Sequence, residues 1–271
     1  MTSEEELLNA IENKNIEKIK SILVNSDINN KILNLNEKNN INRNYPLLKA
    51  IDIKNIEIVK LLIEYANKHQ IILNLNDINE HGNYPLLKAV NRGNVDIVKL
   101  LIEYANQHQI ILNLNKKNEK KKYPIFTAIV KNYIEIAKLL IEYANQHQII
   151  LDINKRNGLD DFPIYTAIIK NYIEMVKLLM DYANQHHFIL NLNEKYLFFS
   201  YPLTEVVVKR NNEMIKLLIE YANQNNFTLK YDKTYIRSLP NYQWFPHYSF
   251  KKSKKLIKNY EKEKKKEKVW N

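Results

Sequence analysis

Cysteine is missing from this 271-residue chain, which excludes disulfides, thiolate zinc sites and cysteine nucleophiles, and a secreted disulfide scaffold with them. Glycine is scarce, with three residues in all. Neither a GxGxxG fingerprint nor a P-loop signature occurs, so the common phosphate-cradling loops are excluded too. Long hydrophobic runs are also lacking: stretches such as Leu61–Ile63 are broken by charge within a turn, far short of the ~18 residues a membrane span requires. The opening residues, Met1-Thr2-Ser3-Glu4-Glu5-Glu6, have no basic region and no apolar core of a signal peptide. The expectation is an intracellular protein, cytoplasmic, or nuclear if a C-terminal lysine cluster serves as an import signal.

What is abundant is asparagine, about 40 residues, roughly three to four times ordinary usage. The chain is also basic, with 41 Lys+Arg against 30 Asp+Glu and a formal net charge of +11. Of that charge, +7 lies in residues 251–268, which hold ten lysines against three glutamates. The body is only mildly basic, so a chain-wide nucleic-acid signature does not follow from the total.

Self-similarity decides the architecture. Pro46, Pro85, Pro124, Pro163 and Pro202 stand 39 residues apart without drift, and Tyr65, Tyr104, Tyr143, Tyr182 and Tyr221 keep the same step. Ala50, Ala89, Ala128 and Ala167 follow it until Val206 breaks the row. Residues 3–36 form a degenerate first copy, offset by 40 and lacking the proline, with Ala10, Ile16, Ile19, Ile22 and Leu33-Asn34-Leu35-Asn36 in matching places. Six copies of a helical unit result.

Within a unit, proline opens a short apolar segment, Pro85-Leu86-Leu87-Lys88-Ala89-Val90, as suits a first helical position where its missing N–H has no partner to lose. A breaker pair follows: Gly93-Asn94, Asn132-Tyr133 or Asn171-Tyr172. Asparagine can take the left-handed conformation that glycine usually supplies. The next segment, Val95 to Ala105, has apolar residues at i, i+3, i+4 and i+7 with Lys and Glu opposite, the pattern of a helix with one buried stripe. Leu-Asn-Leu-Asn at 73–76, 112–115 and 190–193 then alternates apolar and polar, a loop of brief extended character. No single unit can bury its apolar stripe alone. At roughly 1.5–3 kcal/mol per buried Leu or Ile, the stripe offsets ordering entropy only when units stack.

The segment Tyr84-Pro85-Leu86-Leu87-Lys88-Ala89-Val90, the turn at Gly93-Asn94 and the helix Val95-Asp96-Ile97-Val98-Lys99-Leu100-Leu101-Ile102-Glu103 together resemble the ankyrin repeat. The likeness runs from the proline to the second leucine pair in five copies, over residues 41–236. A HEAT-like unit has a similar period, but its longer first helix does not fit the eight residues between Pro85 and Gly93. The resemblance implies an all-α helix-turn-helix solenoid that binds other proteins and catalyses nothing. Three departures stand out. The period of 39 exceeds the family's by about six residues, which fall in Asn-Gln-His-Gln-Ile-Ile and would lengthen the second helix by about 9 Å if helical. The family's threonine is replaced by Tyr45, Tyr84, Tyr123, Phe162 and Tyr201, and its histidine by Leu48, Leu87, Phe126, Tyr165 and Thr204, so the bond between them is lost. The turn glycines are mostly Asn.

Candidate sites compete with structural explanations. His69, His108, His147 and His186 recur at the 39-residue step, but stacked helices lie about 8–10 Å apart while zinc ligands converge within about 2 Å of one ion; helix-end polar histidines are expected, and no metal or cofactor. The tyrosine column is expected between repeats, its hydroxyls meeting water or a neighbour. Asn67, Asn106, Asn145, Asn184 and Asn223 are expected to cap helices or bridge layers. Asp160-Asp161 beside Gly158 read as a solvated turn, and no nucleophile, base and carboxylate converge, so no catalytic residue is assigned.

The positions that vary while the scaffold repeats are the partner candidates. Arg92, Lys131, Lys170 and Lys209 follow the first helix in a basic row, and the loop tips add His81, Lys120, Lys121, Lys122 and the apolar Leu197, Phe198 and Phe199. The resemblance implies contact through loop tips and the concave first-helix face, here with a protein partner that is acidic where it meets the lysines, and a monomeric chain. The sequence divides into a degenerate N-terminal capping repeat at 1–40, five repeats at 41–236, an aromatic cap at 237–250 and a Lys-rich tail at 251–271. The tail lysines Lys251, Lys252, Lys254, Lys255, Lys264, Lys265 and Lys266 suggest an alternative function, binding of nucleic acid or anionic lipid, against the plain expectation of a solvated, partly helical tail.

Overall fold

The computed structural model describes residues 2–156, 162–195, 200–238 and 248–270. Helices form the regular structure of the described residues, and none is long and apolar enough to cross a membrane. The chain divides into two compact units, Met1–Leu151 and Asp152–Asn271.

The first unit contains four helix pairs: α1 (Ser3–Glu12) with α2 (Ile16–Ile28), α3 (Pro46–Asp52) with α4 (Ile56–Lys68), α5 (Pro85–Arg92) with α6 (Val95–Gln107), and α7 (Pro124–Lys131) with α8 (Ile134–Gln146). First helices pack on first helices and second on second, so α3 lies against α1 and α5, and α6 against α4 and α8. Each proline stands at the start of its helix, as the sequence predicts. The core of a repeat is built from its own stripe: Leu47, Leu48, Ala50 and Ile51 from α3, Ile58, Val59, Leu62 and Ala66 from α4, and Leu73 and Leu75 from the loop. The degenerate first copy closes the unit. Thr2 and Glu5 form a reciprocal capping box that satisfies two amides at the start of α1.

The six added residues extend the second helix by only about two, or ~3 Å. In α6 the helix takes in Asn106 and Gln107, His108 is the C-cap, and Gln109 turns left-handed at φ +56. The Ile110 amide then returns to the Ala105 carbonyl at 2.8 Å, the 6→1 closure of a Schellman turn. The turn between paired helices is left-handed as well, at Gly93, Asn132 and Asn171, as expected, but also at Lys54 and Arg210. Asn55 and Asn94 cap the following helices, accepting from the Ile58 and Ile97 amides at 3.1 and 2.9 Å.

The second unit pairs α9 (Pro163–Ile169) with α10 (Ile173–Gln185) and α11 (Pro202–Val208) with α12 (Asn212–Gln224), followed by α13 (Lys233–Ser238) and α14 (Tyr248–Trp270). Here the structure departs from the expected solvated tail. Helix α14 packs against α12 and α11, burying Ser253, Ile257 and Tyr260. Tyr260 stands 39 residues beyond Tyr221 and plays the same part, accepting the Leu229 amide at 2.8 Å as Tyr221 accepts the Leu190 amide at 3.2 Å. The Lys-rich segment is therefore the second helix of a seventh copy. Most of the aromatic segment 237–250, Asn241 through Pro246 included, lies outside the described residues.

Candidate functional site: the loop tips and first-helix groove

Two ladders hold the tips and loops in place. The tyrosine of each second helix reaches back to the preceding loop. Tyr104 accepts the Leu73 amide at 3.0 Å and donates to the Ile71 carbonyl at 3.1 Å, and Tyr143 repeats this on Leu112 and Ile110 at 3.0 and 3.1 Å. The neighbour expected for the hydroxyl is thus backbone of the adjoining repeat. The second ladder comes from the last asparagine of each Leu-Asn-Leu-Asn tetrad. Asn76 donates its amide to the Ile111 carbonyl at 2.7 Å and accepts the Asn113 amide at 2.9 Å. Asn36 does the same for Ile72 and Asn74, and in the second unit Asn193 does it for Thr228 and Lys230. The side chain supplies one donor and one acceptor to a backbone that has no strand partner.

The tips are tied by a third asparagine. Asn79, 5% exposed, accepts the His81 and Asn83 amides at 3.1 and 3.0 Å and donates to Asn44 of the adjacent tip at 2.9 Å. Asn118 bridges to Asn83 at 2.8 Å in the same way. At the helix ends, His108 and His147 rings pack on Tyr104 and Tyr143 with centroids 4.1 and 4.2 Å apart, and each meets the side-chain Oδ1 of the preceding repeat's Asn67 or Asn106 at 3.0 Å. The first of the row, His69, meets Asp27 at 2.6 Å. A hydrogen bond from Lys68, assisted by His69 against the opposing effect of burial, holds the Asp27 carboxyl below its ordinary range. These histidines are structural helix-end residues.

The N-cap tyrosines Tyr45, Tyr84 and Tyr123 are fully buried and cap nothing with their side chains. Their hydroxyls serve the loop instead. Tyr45 donates to the Asn74 and Asp77 carbonyls at 2.8 and 3.0 Å, and Tyr84 to the Lys116 carbonyl at 2.8 Å. Burial pushes both hydroxyls far above the usual tyrosine range.

In the first unit these constraints shape a cleft of about 280 Å³ between tips and first helices, lined by His81, Lys88, Asn91, Lys120 and Lys122 among others and by no carboxylate. Of the sequence-predicted residues, His81, Lys120 and Lys122 line it; Lys121, exposed at the left-handed tip position between the two lysines with φ +55, does not. Lys88 is a residue the sequence reasoning passed over. It reaches Asp52 at 3.1 Å, and Arg92 joins the same carboxylate through Nε at 3.0 Å and Nη2. Burial would raise the Asp52 carboxyl, but the hydrogen bonds from Arg92 and Lys88 outweigh it and hold the group low. The basic row is therefore partly structural. Lys131 donates to the Asn91 carbonyl at 2.5 Å and, in the second unit, Lys209 to the Ile169 carbonyl at 2.8 Å, each neutralising a helix C-terminus one repeat back. Lys170 lies 6.0 Å from the Tyr172 ring centroid. Burial first, then the like charges of Lys122, Arg92 and Lys54, lower the Lys131 ammonium below its ordinary value, so these cations form one positive patch. Leu197, Phe198 and Phe199 lie outside the described residues.

A second feature missed in the sequence is a row of exposed isoleucines. Ile72, Ile111 and Ile150 are each more than half exposed, and their carbonyls accept the asparagine rungs. The signal was the 39-residue step itself: each Ile precedes a buried Leu, so alternation turns it outward.

Of the tail lysines, Lys252 and Lys255 are exposed on α14, and Lys254 and Lys264 are half-buried. The side chains of Lys251, Lys265 and Lys266 lie outside the described residues. Among the described residues no cluster of His, Cys, Asp and Glu is arranged to hold a metal ion.

The family model described as ankyrin repeats, three copies, matches residues 7–111 and 107–191. The chain belongs to the ankyrin-repeat family. Among solved structures it is similar to the ankyrin repeat domain of Bcl-3, described as a unique member of the IkappaB protein family, with 18% identity and a TM-score of 0.57 over 83% of this chain and 89% of that one. No curated protein matches the chain. The likeness to Bcl-3 is one of fold, the helix-turn-helix repeat solenoid. That fold is a typical non-enzymatic scaffold for protein–protein interaction.

Proposed function

We propose that this chain is a non-enzymatic, monomeric interaction module that binds a protein partner on the loop tips and first-helix groove of its first unit. The observation that carries the proposal is the cleft itself: His81, Lys88, Lys120 and Lys122 line it without a carboxylate, and Arg92, Lys131 and Lys54 gather beside it. A partner entering there is acidic at the point of contact: Lys88 and Arg92 share the Asp52 carboxylate and His81 lies near Glu80 and Glu119, which leaves Lys120 and Lys122 as the cations that attract carboxylates and reject like charge. Rigid tips favour such a role, since their Asn79 and Asn118 ties spare the partner the ordering entropy of a loop.

The test is affinity capture with mass spectrometry, comparing the native chain with Lys120→Glu/Lys122→Glu. A partner retained by the first and lost by the second supports the proposal. A partner retained equally by both contradicts it.

A further inference from the structure

The second unit contains a different kind of cleft. It measures about 430 Å³ and lies between residues 228–233 and α14, with Tyr201 at its side. Tyr201 continues the row in which Tyr45, Tyr84 and Tyr123 are 0% exposed and Phe162 is 3% exposed. Unlike them it is half-buried and open to the cleft, as is Tyr231. Lysines stand near the two rings: Lys195 lies 5.0 Å from the Tyr201 centroid and Lys233 lies 5.7 Å from that of Tyr231, and Lys230 and Lys264 also line the cleft. The one carboxylate in the lining, Glu261, is held by Lys233 at 2.7 Å and by the Tyr231 hydroxyl.

Helix α14 extends this charge. Its packed face carries Ser253, Ile257 and Tyr260, and at about 100° per residue the exposed Lys252, Lys255, Lys258 and Lys262 fall on the opposite side. Among the described side chains, residues 252–264, that lysine face shows no apolar residue to enter a bilayer, the apolar stripe there being used against α12. Over the same residues it carries no apolar or aromatic anchor of the kind around which protein interfaces form. Open aromatic rings beside rows of lysine are instead the arrangement that stacks bases and follows a phosphate chain.

We infer that the Tyr201–Tyr231 cleft and the lysine face of α14 bind single-stranded nucleic acid without sequence preference. Bases stack on Tyr201 and Tyr231, and phosphates meet Lys230 and the α14 lysines. This surface is separate from the first-unit groove, and its failure would leave that proposal standing.

The experiment is fluorescence anisotropy of the full chain with a labelled oligothymidine of about 20 nucleotides, titrated across salt. With about four phosphates neutralised, log K falls against log salt with a slope of about −3. Lys252→Glu/Lys255→Glu/Lys258→Glu/Lys262→Glu flattens that slope toward zero. Tyr231→Ala weakens binding about tenfold, within the range for one lost stack, at unchanged slope, and Tyr201→Phe, which keeps the ring and the fold, binds as the native chain does. Circular dichroism melts confirm that each variant is folded. No binding to oligothymidine overturns the inference. So does equal binding to polyglutamate or to phosphatidylserine vesicles, or an unchanged affinity in folded Tyr231→Ala, because either would reduce the surface to bare charge.

Discussion

The Tyr104 hydroxyl lies 3.0 Å from the Leu73 amide and 3.1 Å from the Ile71 carbonyl, closing two backbone groups of one repeat with a side chain from the next. Removing that hydroxyl leaves a buried amide without its acceptor. Tyr104→Phe is expected to lower stability by about 1–3 kcal/mol, measured by urea denaturation. The ring and its contact with His108 remain, so a loss near zero would mean that the hydroxyl is not an inter-repeat tie.

Alkali gives the same ties a pH signature. Burial raises the hydroxyls of Tyr45 and Tyr84 well above the ordinary value near 10. Their protonated form is held in the folded state, so this stability is complete below the unfolded pKa, about 10, and is lost as pH rises above it. The share of the tyrosinate absorbance that is missing from Tyr45→Phe/Tyr84→Phe should therefore appear, in the native chain, together with loss of helical circular dichroism, and not before it.

The asparagine rungs predict a directional effect. Asn115 donates its amide to the Ile150 carbonyl at 2.8 Å. In Asn115→Asp a carboxylate faces that carbonyl and no donor remains, so a loss of about 1–3 kcal/mol is expected at neutral pH, partly recovered in acid where the carboxyl can donate. Thermal melts at two pH values check it.

Left-handed residues other than glycine predict a gain. Gln109 sits at φ +56 in a position glycine favours. Gln109→Gly is expected to stabilise by about 0.5–1 kcal/mol, the left-handed cost of a side chain less the entropy of glycine. An unchanged or lower melting temperature would contradict this.

Much of the fold was legible because it depends on local chemistry. The prolines mark the starts of α3, α5, α7, α9 and α11, and the apolar stripes mark what each second helix buries. What was not legible depends on stacking. Which backbone group Asn76 or Tyr104 would find is settled only when the next repeat is in place. The abundance of asparagine therefore has a structural role at the rungs, tips and caps that composition could not reveal. The seventh copy was hidden because Asn241 stands at the proline step and lysines crowd α14, leaving Ile257 and Tyr260 as its signal. Deleting 251–271 would strip a packed helix from α12, so charge reversal is the sounder probe of those lysines.

The candidate site was legible in part. The tips and basic row were expected from the sequence, but Arg92 and Lys131 have structural partners, and the cleft-lining role of Lys88 appears only where tip and helix meet.

The most direct measurement of the central claim is hydrogen exchange of the chain alone and with its captured partner. The account predicts new protection at the tip 118–122 and along α5, absent when Lys120→Glu/Lys122→Glu is mixed with the same partner. Protection confined to the second helices, with the tip and α5 exchanging as in the free chain, would contradict it.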